Sequence, residues 1–347
     1  MQLPTRFNTF QKNSNNKNRI RQTSYDNRRI YSKAGIVLFL AIILIFPTSS
    51  YQGAKKGLLL WFNTVLPTLL PFIIVSNLII GLQITKPLSK LLYPFFHFLF
   101  GISKGGCYPV LMGFLSGIPV GAKSVADLVN QGSIDEDEGQ YLLGFCNNAS
   151  PMFIMSYIAI SQLKLPGIRF TLLLIIYISG IISAFLYFRL LTGRNNRSNA
   201  VSIMEFSQNS MRNYNSESPK FDFALLDSAI MNGFEIITKV GGYIILFSIP
   251  VQIISGLGND NYFKLLLIGI LEITTGINKI SQSSLDMGTK IAFITMLTAF
   301  GGLSGVAQTK SVINSTRLSI VTYIKSKIMH MVIAFILTVI YIQLVLY

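Results

Sequence analysis

The sequence predicts an all-α, polytopic helical membrane protein made of two repeats, expected to be inverted, that contain broken or re-entrant helices. Three observations predict it. Of 347 residues, 51% are hydrophobic and only 12% charged, with a mean hydropathy of +0.52. A soluble domain carries about 25% charged residues, so this chain lacks the charge to cover a water-exposed surface. Long apolar stretches recur from residue 34 to the C-terminus. Glycines and prolines interrupt them near the middle of each half, as in transporters built from inverted repeats.

The charge balance fits the same class. The chain has 29 Lys plus Arg against 14 Asp plus Glu, a net charge of +15 and a pI of about 9.8. The excess sits in tails and loops beside apolar segments, which suits the positive-inside rule rather than nucleic-acid binding. The expected partner is therefore the lipid bilayer, with no nucleic acid. Two cysteines, Cys107 and Cys146, give no disulfide framework. His97 and His330 have no Cys, Asp or Glu cluster beside them, so no metal is expected. No nucleotide loop, nucleophile elbow or HExxH occurs. The sequence supports neither an enzyme nor a cofactor.

The elements follow in order. Residues 1–33 are a polar, basic tail, placed in the cytoplasm by the same rule, with Asp26 as its one acid. Residues 34–191 form a first membrane half, with a repeat unit from about residue 53. A first apolar stretch runs from Ala34 to Phe46, and a second span, 57–83, is interrupted by Pro67 and Pro71. Residues 84–105, with Lys86, Lys90, His97 and Lys104 among aromatics, read as interfacial or re-entrant. Cys107 to Ala122 is too short for a plain span. Asp135, Glu136, Asp137 and Glu138 suit the first turn of a helix ending near Cys146, where the dipole favours acids. Asn147-Asn148-Ala149-Ser150-Pro151 is a break, and Ile168 to Leu191 a clear span. A polar loop, 192–220, leads into the second half, 221–347. Its apolar stretches lie at 229–258, 263–274, 291–309 and 328–346, with Lys325 and Lys327 flanking the last. About eight spans are expected in all.

The halves echo each other. Gly101-Ile-Ser-Lys104 recurs as Gly276-Ile-Asn-Lys279. Ser116-Gly117 followed by Lys123-Ser124 recurs as Ser304-Gly305 followed by Lys310-Ser311, in the same order along the chain.

The candidate binding residues cluster in four places. In the first, Gly113, Gly117 and Gly121 line one helix face and Pro119 breaks it, so Ser116, Gly117, Pro119, Lys123 and Ser124 suit a broken helix meeting a polar or anionic solute. The same residues also suit close helix packing, with Lys123 snorkelling. The counterpart holds Ser304, Gly305, Gln308, Thr309 and Lys310. In the third, Asn147, Asn148 and Ser150 offer two carboxamides and a hydroxyl at a kink; the Asn148-Ala-Ser triplet is disfavoured as a glycosylation site by Pro151. The fourth is Glu272, an acid among apolar residues, which suits a coupling proton or cation, or an interfacial pair with Lys279.

At these segments the sequence resembles the YlbJ family of sporulation integral membrane proteins of endospore-forming Firmicutes, within the wider nucleoside-recognition or Gate-domain group. The resemblance rests on Val65-Leu-Pro-Thr-Leu-Leu-Pro-Phe72, Gly113-Phe-Leu-Ser-Gly-Ile-Pro-Val-Gly-Ala-Lys123 and Phe145-Cys-Asn-Asn-Ala-Ser-Pro-Met-Phe153. It rests also on Gly241-Gly-Tyr-Ile-Ile-Leu-Phe-Ser248, Leu271-Glu-Ile-Thr-Thr-Gly276 and Gly301-Gly-Leu-Ser304. It spans about 34–346. Ile118 stands where the family pattern often has an aromatic. The resemblance implies a multi-pass protein of the cell membrane, in the forespore or mother cell, needed for spore and in particular cortex formation. Transport or gating of a small polar solute is the expected activity. The alternative is a non-transporting scaffold that recruits spore-envelope proteins. A homo-oligomer, or assembly with other sporulation membrane proteins, fits either.

Overall fold

The computed structural model describes residues 33–82, 84–187, 221–259 and 261–345. The basic tail up to residue 32 and the 192–220 loop lie outside the described residues. The described residues are helical or irregular, with no strand among them. The chain divides into one unit ending at Tyr51 and another from Gln52 to Tyr347.

In the first unit, α1 is the apolar helix Lys33–Ile45. It is expected to be a membrane span, but its 13 residues give a rod of about 20 Å, short of a hydrocarbon core of about 30 Å.

The next helix, α2 (Pro47–Leu60), runs through a wide π-turn, Trp61–Val65, into α3 (Leu66–Gly81). Pro67 and Pro71 do not end this rod; Pro71 lies inside α3. The indole N–H of Trp61 donates to the Ile237 carbonyl at 2.9 Å. Gly241 makes room for the ring, since a Cβ there would lie 2.5 Å from it. The segment read as interfacial is helix α4 (Thr85–Phe100), closed by Gly101 at φ 66°. Phe96 faces inward, whereas Leu91, Phe95 and Phe98 are exposed.

Then come α5 (Cys107–Ser116), α6 (Val120–Asn130) and α7 (Glu136–Cys146). The acidic cluster does open α7: the Asp135 side chain accepts from the Glu138 N–H at 2.6 Å, and three acids fill the first turn. After a break comes a π-helix, Phe153–Gln162, a 3-10 turn, Pro166–Ile168, and α8 (Arg169–Phe185). The second half holds α9 (Phe223–Ser255), α10 (Tyr262–Leu271), α11 (Ile273–Gln282), α12 (Met287–Phe300), α13 (Gly302–Val312) and α14 (Ile320–Val345).

Five helical rods among the described residues are long and apolar enough to cross a membrane: Pro47–Ile79, Pro166–Phe185, Phe223–Ser255, Met287–Val312 and Ile320–Val345. The sequence reading expects about eight. Four further apolar helices, α1, α5, the π-helix and α10, are shorter than a span. The last three have 10 residues each. Backbone breaks stop them at about 15 Å, half the hydrocarbon thickness.

Part of the element order of the first half has a parallel in the second, although α4 has no counterpart between α9 and α10. Paired short helices α5–α6, a rod broken after α7 and the span α8 are followed later by paired short helices α10–α11, a rod broken after α12 and the span α14. The residue matches that suggest a repeat fall on unlike elements. Ser116–Gly117 closes α5, while Ser304–Gly305 lies inside α13.

Three apolar cores hold this assembly. One gathers Val110, Leu142, Phe145, Phe300 and Tyr323; another gathers Ile154, Tyr157, Ile176, Ile277 and Leu297; the third gathers Val65, Leu70, Ile73, Ile237 and Ile244. Each draws residues from both halves, so neither half is buried alone.

Candidate functional site

Four helix breaks meet in the interior. The first separates α5 from α6. Gly117 takes φ 79°, which favours glycine, and the Ile118–Pro119 bond is cis. The glycine stripe is therefore not one helix face, because Gly113 lies on α5 and Gly121 on α6. Both face the carbonyl of Cys146. A Cβ at Gly113 would collide with that oxygen, and one at Gly121 would lie 2.6 Å from it. A Cβ at Gly117 would lie 2.7 Å from the Ser150 nitrogen. The missing side chains let the α5–α6 turn sit directly on the second break.

The second break follows α7. Asn147 leaves helical geometry at φ −95° and ψ 71° and is wholly buried. Its Oδ1 accepts from the Ala122 N–H at 3.3 Å, and its Nδ2 donates to Thr309 Oγ1 at 2.8 Å and to the Tyr323 hydroxyl at 2.9 Å. Asn148 donates to the Phe145 carbonyl at 2.9 Å and accepts from Lys327 Nζ at 2.5 Å. Ser150 Oγ accepts from the Phe153 N–H at 3.2 Å and so caps the π-helix.

The third break is Glu272, extended at φ −143° between α10 and α11 and wholly buried. Its two carboxylate oxygens accept from the Thr274 and Thr275 N–H groups at 3.0 and 2.6 Å. Carboxylate caps suit a helix N-terminus, where backbone donors are otherwise unmet. The Tyr157 hydroxyl donates to the Thr274 carbonyl at 2.7 Å and fixes the turn from the other half. The fourth break is Gly301–Gly302, with φ 85° and 71°, between α12 and α13.

Between the breaks lies a cavity of about 80 Å³. Ser116, Ser150, Glu272, Thr298, Ser304 and Gln308 supply its polar lining, and Ile118, Gly301 and Gly305 also line it. Among the described residues, Ser116 Oγ is buried without a hydrogen-bond partner. The volume holds a few water-sized groups. The space is partly open, and apolar side chains such as Val65, Leu69, Phe153, Val240 and Ile244 line more of it than polar groups do. Its few polar groups, set at broken helices, can bind a small solute through hydrogen bonds.

Of the residues singled out from sequence, the structure brings Ser116, Ser150, Glu272, Ser304, Gly305 and Gln308 together at this cavity. Asn147 and Asn148 stand behind it, and Gly117 and Pro119 shape the first break. Lys123 and Lys310 are exposed and Ser124 is spent on the Val120 carbonyl at 3.0 Å, so these three do not join it. Exposed lysines such as these need no buried counter-charge. Sequence reasoning missed Lys327, His330, Ser179 and Tyr323. The signal lies in α14, whose buried residues Tyr323, Ser326, Lys327, His330, Ala334 and Thr338 follow helical spacing.

Fold and cavity define the class: a multi-span helical membrane protein with interrupted helices around a cavity that carries a few polar groups. No family model and no solved structure matches the chain. It is 27% identical over 307 residues to the sporulation integral membrane protein YlbJ of Bacillus subtilis (strain 168), covering 82% of this chain and 75% of that one. The likeness runs over most of both proteins, and it supports an integral membrane protein similar to YlbJ.

Proposed function

We propose that the protein serves spore formation, including the cortex, by binding a small polar solute in the cavity and moving it across the membrane or gating its passage. The two halves act as inverted repeats, with the N-terminus in the cytoplasm and the protein in the forespore or mother-cell membrane. One observation carries this reading: four separate helix breaks, two from each half, converge on one cavity and bring polar groups to its largely apolar wall. Backbone that leaves helical geometry at membrane depth is tolerated where it is buried in protein or lines a cavity. Ser116 Oγ adds an unspent hydrogen-bonding group for a solute.

The test is complementation of a deletion strain, with membrane levels checked and heat-resistant spores counted. Wild type restores the count. Ser304→Leu, which fills the cavity, does not. If Ser304→Leu restores spores fully, the cavity is not used and a scaffold role takes its place.

A further inference from the structure

Behind the cavity lies a second buried polar cluster. Lys327 and His330 sit one turn apart on α14, 1% exposed each. Lys327 Nζ bonds Asn148 Oδ1 at 2.5 Å and lies 3.5 Å from His330 Nδ1. His330 Nε2 lies 2.9 Å from the Ile176 carbonyl oxygen and 3.0 Å from Ser179 Oγ, both on α8. Gly180 makes the room, since a Cβ there would lie 3.2 Å from the imidazole and 3.4 Å from Asn148 Nδ2.

The partners fix the proton pattern. A carbonyl oxygen only accepts, so Nε2 carries a hydrogen. Nδ1 is then a bare acceptor, and it faces the amine. Asn148 cannot turn its amide, because Nδ2 is held by the Phe145 carbonyl. The groups around the pair are Cys146 at the end of α7, Asn148 just beyond it, Ser179 on α8 and Tyr323 on α14, whose ring centre lies 5.8 Å from Lys327 Nζ. Helix α12, packed along α14, has Lys290 as its one ionisable side chain, and neighbouring Gly288 lies near Ile342, at the far end of α14. Among the described residues no carboxylate is within ion-pair distance of Lys327.

We propose that Lys327 and His330 form a buried proton-exchange pair that couples a proton to the state of the second break. One Nζ–H bond breaks and one Nδ1–H bond forms, so the positive charge moves from the amine to the imidazole. A proton on the pair leaves one charge in the interior that no acid offsets, and its departure removes that charge. Asn148 reads the difference, because it bonds the amine and is followed directly by Ala149 and Ser150 of the cavity wall. The coupling rests on the proposed solute cavity; the proton pair does not.

The experiment uses the full chain in phosphatidylethanolamine–phosphatidylglycerol nanodiscs, with ring-¹⁵N histidine. The chain has two histidines, so His97→Asn assigns His330. His330 is expected as the Nε2–H tautomer at neutral pH, with an Nδ1 resonance that moves on titration and shifts in Lys327→Met. An Nδ1–H tautomer in the wild type, or resonances that ignore both pH and Lys327→Met, overturns the pair. The tautomer is read on unmutated Lys327, so a poorly folding variant does not decide the matter. A second readout is the rate at which a small methanethiosulfonate labels Ser116→Cys. That rate, divided at each pH by the rate of a free thiol so that thiolate formation cancels, should vary with pH, and the variation should be lost in Lys327→Met. A rate independent of pH overturns the coupling, whereas failure of the spore test at Ser304 overturns only the solute reading.

Discussion

Asn147 donates to Thr309 across 162 positions of sequence, at 2.8 Å, and this bond joins the broken rod of the first half to α13 of the second. The same carboxamide also holds Tyr323 and the Ala122 N–H, so one residue ties α6, α13 and α14 to the second break.

Replacing Asn147 with Ala leaves Thr309, Tyr323 and the Ala122 N–H short of a buried partner. A loss of about 3 kcal/mol is expected. Thermal unfolding in nanodiscs should show a clear drop in Tm for Asn147→Ala and almost none for Lys123→Ala, whose side chain is exposed.

Gly113→Ala puts a methyl group into the Cys146 carbonyl. Overpacking at fixed backbone costs about 1–3 kcal/mol, and here the obstacle is main chain, which gives little. Gly242 has nothing within 4 Å of a Cβ, so Gly242→Ala is the control. Membrane levels and denaturant midpoints should fall for Gly113→Ala and hold for Gly242→Ala.

The Lys123→Ala/Lys310→Ala pair should restore heat-resistant spores to near the wild-type count, because neither lysine reaches the cavity. Failure of the pair, at equal membrane levels, would move the site to the exposed ends of α6 and α13.

Asp286 lies just outside a membrane rod and caps α12. Its carboxylate accepts from the Thr289 N–H at 2.8 Å and from its hydroxyl at 2.7 Å, and these bonds hold the carboxyl below the usual aspartate range. A depressed acid stabilises the folded end above its unfolded value of about 4, and loses that as pH falls through the folded value. Protection of the Thr289 and Lys290 amides, taken against their intrinsic exchange rates at each pH, should therefore fall on acidification, and Asp286→Ala should show the low protection at neutral pH.

Much of this architecture is readable in the residues. The run Asp135 to Glu138 announces α7 because an N-terminal cap and dipole need only neighbours in sequence. Asn147 to Pro151 announces a break for the same local reason, and Glu272 stands out against apolar neighbours. What failed were judgements about depth and side. Lys327 reads as a flank when the last span is started at 328, yet α14 begins at Ile320 and carries the lysine two turns inward. Lys123 and Lys310 share a spacing with their serines, but spacing does not tell which way a lysine faces. The glycine stripe was legible as a close approach; its partner, the Cys146 carbonyl, comes from tertiary packing.

The order of synthesis gives the second break a further meaning. Asn147 and Asn148 are made well before Thr309 and Lys327, which lie 162 and 179 positions downstream of them. At about 5–20 residues per second the ribosome needs roughly ten to thirty-five seconds to supply those partners. During that interval each carboxamide has only its first-half partner, the Ala122 N–H for Asn147 and the Phe145 carbonyl for Asn148. The interior around the second break is therefore closed only when α13 and α14 arrive.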